Sequence, residues 1–131
     1  MTIHRFPIRI YYEDSDFSGN VYHAAYLKFF ERGRTEFLRD LGVHHSELAG
    51  QGLAFAVRSM EIDFVAAARI DDLLEVTTEV VAMTGVRLTL AQGILRDGQV
   101  LTTAKVVVVS IRTEGGAARL PAELRARLAG G

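Results

Sequence analysis

An aspartate in an aromatic loop, set just ahead of a long helix, is the feature of this chain best suited to chemistry. The run is Tyr11-Tyr12-Glu13-Asp14-Ser15-Asp16-Phe17-Ser18-Gly19-Asn20-Val21-Tyr22-His23. It joins the end of a strand to the start of a helix, whose first N–H groups lack intrahelical acceptors and favour negative charge. A carboxylate, Asp16, beside such a donor is what acyl transfer requires: one group attacks or activates water, the other holds the developing oxyanion. The aromatic neighbours Tyr11, Tyr12, Phe17, Tyr22 and Tyr26 predict partial desolvation of the acid, which would raise its pKa and basicity. The competing reading is a turn or cap, because Asp14 to Asn20 is rich in turn-forming residues.

His23 stands at the helix start. Its ring can act as acid or base, orient water, or merely cap and pack, while its backbone N–H is one of the unpartnered first-turn amides. Gly19 meets a backbone need, either a positive φ or a close approach by ligand. The remaining candidates carry less. Glu31 and Glu36 read as flank or surface residues of the helix, and Glu61 and Asp63 as the solvated side of a strand. His4, His44 and His45 have no acidic partner at metal-ligand spacing. Ser15, Ser18 and Ser59 lack a Gly-x-Ser-x-Gly setting. With no phosphate-cradling glycine loop either, a reaction without metal, nucleotide or redox cofactor is expected.

The elements that must position this loop follow from periodicity. Pro7 to Tyr12 predicts a first strand. From about Ala24 to Leu41, Tyr26, Phe30, Gly33, Phe37 and Leu41 form one stripe at 100° per residue, with Lys28, Arg32, Thr35 and Arg39 opposite. Gly42 is the stop signal. Gly33 inside the stripe predicts close packing of another backbone, since glycine otherwise costs about 1 kcal/mol in a helix. A short helical or irregular stretch over 44–51 follows. Four strands then alternate through Met60-Ile62-Phe64, Leu74 to Val80, Val86 to Leu90 with its continuation to Arg96, and Val100 to Arg112. Asp97-Gly98 signals a hairpin turn. The run Val106 to Val109 predicts a last strand buried on both faces, and Pro121 to Leu128 a short terminal helix.

Composition narrows the class. The 131 residues (1–131, read as one domain) are 49% apolar, enough for a substantial core. A formal net charge of −1 gives no bulk attraction to nucleic acid or anionic membrane. The chain has no cysteine, which removes disulfides, thiolate metal sites and Cys nucleophiles. No apolar run approaches the roughly 20 residues of a membrane span, and the first residues lack a signal-peptide apolar region, so a cytoplasmic location is expected. The predicted class is α+β, a five-stranded, largely antiparallel sheet around one long helix. One helix cannot cover such a sheet and its edges, so a homo-oligomer is expected.

Two segments carry a family resemblance: Tyr12 to Tyr26, and Phe30-Glu31-Arg32-Gly33-Arg34-Thr35-Glu36. They resemble the hot-dog-fold acyl-CoA thioesterases, in the branch of 4-hydroxybenzoyl-CoA thioesterase and the Tol-Pal-associated acyl-CoA thioesterases. The likeness continues through Phe55 to Phe64 and Asp71 to Val76. It implies a helical "sausage" wrapped by an antiparallel "bun", active as a dimer or a dimer of dimers. It also implies Asp16 as nucleophile or general base, the His23 N–H as the donor polarising the thioester carbonyl, and Gly19 as the glycine that lets the thioester approach. Val21, Tyr22 and Tyr26 would line or support the pocket. Arg58 and Ser59, on the polar side of a strand with Glu61, are candidates for a contribution from the neighbouring chain. CoA enters as part of the substrate. Acyl carrier protein is the alternative carrier, and a non-catalytic acyl-thioester-binding protein the alternative function. One departure is visible: Ala67-Ala68 stands where the family usually has Pro-Ala.

Overall fold

The long helical stripe and the five alternating segments assemble around each other in the computed structural model, which describes residues 2–130. In chain order the elements are β1 (His4–Arg9), a 3₁₀ turn (Tyr12–Asp14), α1 (His23–Asp40), α2 (His45–Gly50), β2 (Leu53–Phe64), β3 (Leu73–Met83), β4 (Arg87–Arg96), β5 (Gln99–Arg112) and α3 (Ala122–Gly130). The strands form one sheet in the order β1-β3-β4-β5-β2, every pairing antiparallel. This is the expected α+β hot-dog arrangement, with α1 held against one face of the sheet.

The core forms because α1 and the sheet each present an apolar side to the other. Tyr26, Phe29, Phe30, Phe37 and Leu38 of α1 are buried with Leu74, Val76, Leu88, Leu90, Ile94, Val106 and Val108 of the sheet. Burying each large side chain contributes about 1.5–3 kcal/mol relative to exposing it. Gly33 permits the closest approach, as a Cβ there would lie 2.5 Å from Val76 Cγ1. The intruding group is thus a β-branched side chain of β3, not the backbone that the sequence led us to expect. At the far end Gly42 has φ +79°, and the Gly42 and Val43 N–H groups donate to the Arg39 and Leu38 carbonyls. That glycine-terminated pairing closes α1 where predicted.

Three other expectations need correcting. The first strand runs His4–Arg9, not Pro7 to Tyr12. Pro7 sits inside an edge strand, where its missing N–H is tolerated, and Tyr11-Tyr12 leave the sheet for the 3₁₀ turn. In the valine run, Val106 and Val108 are buried while Val107 and Val109 are half-buried. β5 is interior to the sheet, but among the described residues its second face is only partly covered. Thr35, expected opposite the buried stripe, is half-buried and lines a cavity against the sheet. The hairpin turn is as predicted: Asp97 (φ +51°) and Gly98 (φ +80°) link β4 to β5 in the positive-φ geometry of a type I′ turn.

Candidate functional site

The loop before α1 is fixed from both sides. Ser15 and Val21 form an antiparallel bridge, and within it the Gly19 N–H donates to the Asp16 carbonyl at 3.0 Å. Gly19 has φ +83°, the left-handed conformation the sequence reserved for it. Asp14 is the structural acid of the pair: it is buried, and its carboxylate accepts the Tyr11 N–H at 2.9 Å. The β2–β3 connection supports the other side. The Val21 N–H donates to the Ala68 carbonyl at 2.9 Å, the Ile70 N–H to the Gly19 carbonyl at 3.0 Å, and Arg69 Nη1 to Asn20 Oδ1 at 2.7 Å. Tyr26 is buried, and its hydroxyl accepts the Ala68 N–H at 3.0 Å. Burial pushes its phenol pKa up, partly countered by that bond. Ala67-Ala68 therefore forms a well-anchored turn despite its departure from the family pattern.

Asp16 itself is exposed. Its Oδ1 accepts the Ser18 hydroxyl at 2.5 Å and the Ser18 N–H at 2.8 Å. These bonds, the hydroxyl first, hold its carboxyl below the ordinary aspartate range. The expected rise in pKa is overturned, because within one chain the aromatic neighbours do not enclose the acid. Tyr12 is 83% exposed and Phe17 104%, both turned to solvent.

A cleft of about 470 Å³ is lined by Asp16, Val21, Tyr22, His23, Tyr26 and Phe64, with Asn20 and residues 65–67 completing it. Tyr22 is the N-cap residue of α1 but makes no side-chain capping bond. Among the described residues, no acceptor meets the His23 N–H. The His23 ring stacks on Phe64, centroids 4.4 Å apart and planes at 25°, while Tyr26 meets the same ring edge-on at 5.4 Å. The imidazole thus packs while its backbone amide stays free, an arrangement able to polarise a carbonyl oxygen brought against the helix end.

Of the sequence candidates, Asp16, Val21, Tyr22, His23 and Tyr26 meet in one cleft, with Gly19 shaping its loop. Arg58 and Ser59 do not join it within the chain. They sit on edge strand β2, where Arg58 is an extra residue in the register with β5 and Ser59 pairs with Val107 on the face away from α1. Phe64, Asn20 and Arg69 were missed. Phe64 had been read only as one of an alternating set; its position as the last aromatic of that strand was the available signal. Among the described residues no cluster of three or more His, Cys, Asp or Glu could hold a metal ion, and no helix is long and apolar enough to cross a membrane.

Comparison with known proteins agrees with this geometry. The chain belongs to the thioesterase-like superfamily, whose family model matches residues 11–128. Among curated relatives, the Haemophilus influenzae acyl-CoA thioesterase YbgC is 47% identical over 107 residues, 81% of this chain and 79% of that protein. The Escherichia coli O157:H7 acyl-CoA thioester hydrolase YbgC is 43% identical over 111 residues, 84% of this chain and 83% of that protein. Among solved structures, a probable thioesterase from Bartonella henselae is 48% identical, with a TM-score of 0.88 over 92% of this chain and 100% of that one. The Synechocystis 1,4-dihydroxy-2-naphthoyl-CoA thioesterase shares the fold, with a TM-score of 0.90 over 98% and 96% at 22% identity.

Proposed function

We propose that this chain hydrolyses the thioester of small or medium acyl-CoAs, aliphatic or aromatic, to free acid and CoA. The observation that carries the reading is the cleft in which an ionised, solvent-facing Asp16 shares a wall with the uncapped start of α1. The thioester carbonyl oxygen docks on the His23 N–H, and the carbonyl carbon then faces Asp16. Asp16 either attacks that carbon, giving a mixed anhydride and CoA thiolate that water resolves, or takes a proton from the attacking water. The reaction uses no metal or redox cofactor. The relatives named as acyl-CoA thioesterases support CoA as the carrier, with acyl carrier protein the alternative.

The active unit is a homodimer or a dimer of dimers, in the cytoplasm. Support comes from the edge of β2, whose stretch Val57 to Phe64 is largely exposed, and from exposed apolar side chains at both its ends. Pairing two β2 edges removes those open edges, and Arg58 and Ser59 lie at that seam. A thiol-release screen over acyl-CoAs of graded length and aromaticity tests the activity. Turnover of at least one acyl-CoA is expected; binding without thiol release across the panel would favour a non-catalytic acyl-thioester-binding protein.

A further inference from the structure

The acid on which the proposed reaction depends is exposed, as are its neighbours Phe17 and Ser18, so apolar packing does little to place it. Among the described residues, the hydrogen bonds of Asp16 all close within its own loop. Its carboxylate takes the two Ser18 donors, its N–H donates to the Asn20 carbonyl at 2.9 Å, and its carbonyl accepts the Gly19 N–H. Its orientation therefore passes to Asn20. That residue forms an isolated antiparallel bridge with Arg69 of the β2–β3 connection, and its side chain is held from the same side: Arg69 Nη1 donates to Asn20 Oδ1 at 2.7 Å. The guanidinium also lies across Gly19, where a Cβ would stand 3.4 Å from Arg69 Nη2.

Arg69 is anchored in turn. Its main-chain N–H donates to Asp72 Oδ2 at 2.9 Å, and the Asp72 N–H returns to the Arg69 carbonyl at 3.1 Å. Arg96 Nη1, at the end of β4, donates to the same Oδ2 at 2.8 Å. Inside this turn Asp71 has φ +71°, a left-handed conformation uncommon for a residue with a side chain. Two more bonds keep it there: the Asp71 N–H to the Ile10 carbonyl at 3.1 Å, and the Ile10 N–H to the Asp72 carbonyl at 2.9 Å. Backbone strain of this kind persists only where the surroundings over-determine it, and it gathers at functional sites. An unbroken polar chain thus runs from the sheet to the reacting acid, through Arg96, Asp72, Arg69 and Asn20.

Resting on the thioesterase reading above, we propose that Arg69 is a positioning residue: through its bond to Asn20 it sets the Asp16 carboxylate against the free amide of His23. Arg69 touches no reacting atom in this role. It is exposed and Asn20 half-buried, so their bond exchanges contacts with water and adds little to stability. Rate is far more sensitive, since a displacement of about 1 Å in a reacting group can cost about 10²-fold. Breaking the bond therefore lowers turnover without a matching loss of fold.

The test compares wild type, Arg69→Met, Asn20→Ala and the double variant on two thioesters of one acid that the wild type cleaves. One is the CoA thioester; the other is the N-acetylcysteamine thioester, which carries no phosphate. Each single variant is expected to lose about tenfold or more in kcat on the CoA thioester with KM nearly unchanged, the split expected when a transition-state arrangement is lost. The N-acetylcysteamine thioester should lose the same factor in kcat/KM. The double variant should lose no more than the worse single variant, because both changes break one bond. A loss confined to the CoA thioester, or carried by KM, would make Arg69 a phosphate contact and overturn the proposal. Losses that multiply in the double variant, or an undiminished kcat in Arg69→Met, also overturn it. Should one variant fail to fold by circular dichroism, the other still tests the bond from its opposite end. Failure of the wild type to release thiol from any of a full acyl-CoA panel would instead sink the thioesterase reading itself.

Discussion

The two ends of α1's polar chemistry are built on opposite rules. At the helix start, Asp16 and the His23 amide are exposed, held by short-range turn bonds and pinned by the β2–β3 connection. At mid-helix, Arg34 is half-buried and anchored through Gln92 to the core. The first arrangement leaves charge free to meet a reacting carbonyl. The second ties a charge to the sheet through a neutral amide. The proposed catalytic groups thus sit where the backbone is precise but open, and Arg34 where solvent is partly excluded.

The largest expected effect is on assembly, because the edge of β2 from Val57 to Phe64 is largely exposed within one chain. We expect no folded monomer at micromolar concentration in sedimentation velocity; an active species near 14.4 kDa would remove the basis for sites shared between chains. Next comes the packing that holds the mid-helix region against the sheet. Gly33→Ala should destabilise the protein by about 1–3 kcal/mol in chemical denaturation. The new Cβ would meet Val76, whose β-branched side chain has little rotameric freedom. Stabilisation by helix propensity would show that this interface yields.

Smaller effects separate the groups at the helix start. His23→Ala should retain most turnover, since the backbone donor survives; that donor is worth about 3–4 kcal/mol in favourable cases. A loss as deep as that from removing the Asp16 carboxylate, with circular dichroism unchanged, would give the imidazole a direct role. Ser18→Ala removes the hydroxyl that most depresses the Asp16 pKa. A depressed pKa keeps the carboxylate ionised to lower pH, so the wild-type acid limb of kcat/KM should fall below the usual aspartate range. In Ser18→Ala that limb should move up in pH. No movement would mean that Asp16 does not set it.

Where pattern repeats, the sequence was legible: α1, the alternation of the strands, the Asp97-Gly98 hairpin and the loop carrying Asp16 follow from periodicity or turn chemistry. What escaped depends on contacts between distant segments. Gln92 interrupts an apolar face because it serves the Phe30 carbonyl 62 positions away. Proximity of aromatics in sequence suggested a desolvated Asp16, but side-chain direction decides burial, and Tyr12 and Phe17 point outward. The four valines read as doubly buried because the pattern does not say whether the second face is covered by the same chain. Arg34 stood in a segment that carried the family resemblance, but nothing local marked its bond to Gln92, 58 positions away.

Thiol release by Asp16→Asn beside the wild type tests the central assignment most directly. The amide is nearly isosteric and cannot act as nucleophile or base, so turnover should fall at least about 10²-fold, with far-ultraviolet circular dichroism and affinity for a CoA thioester preserved. Steady-state release within a few-fold of wild type would show that Asp16 is not the catalyst.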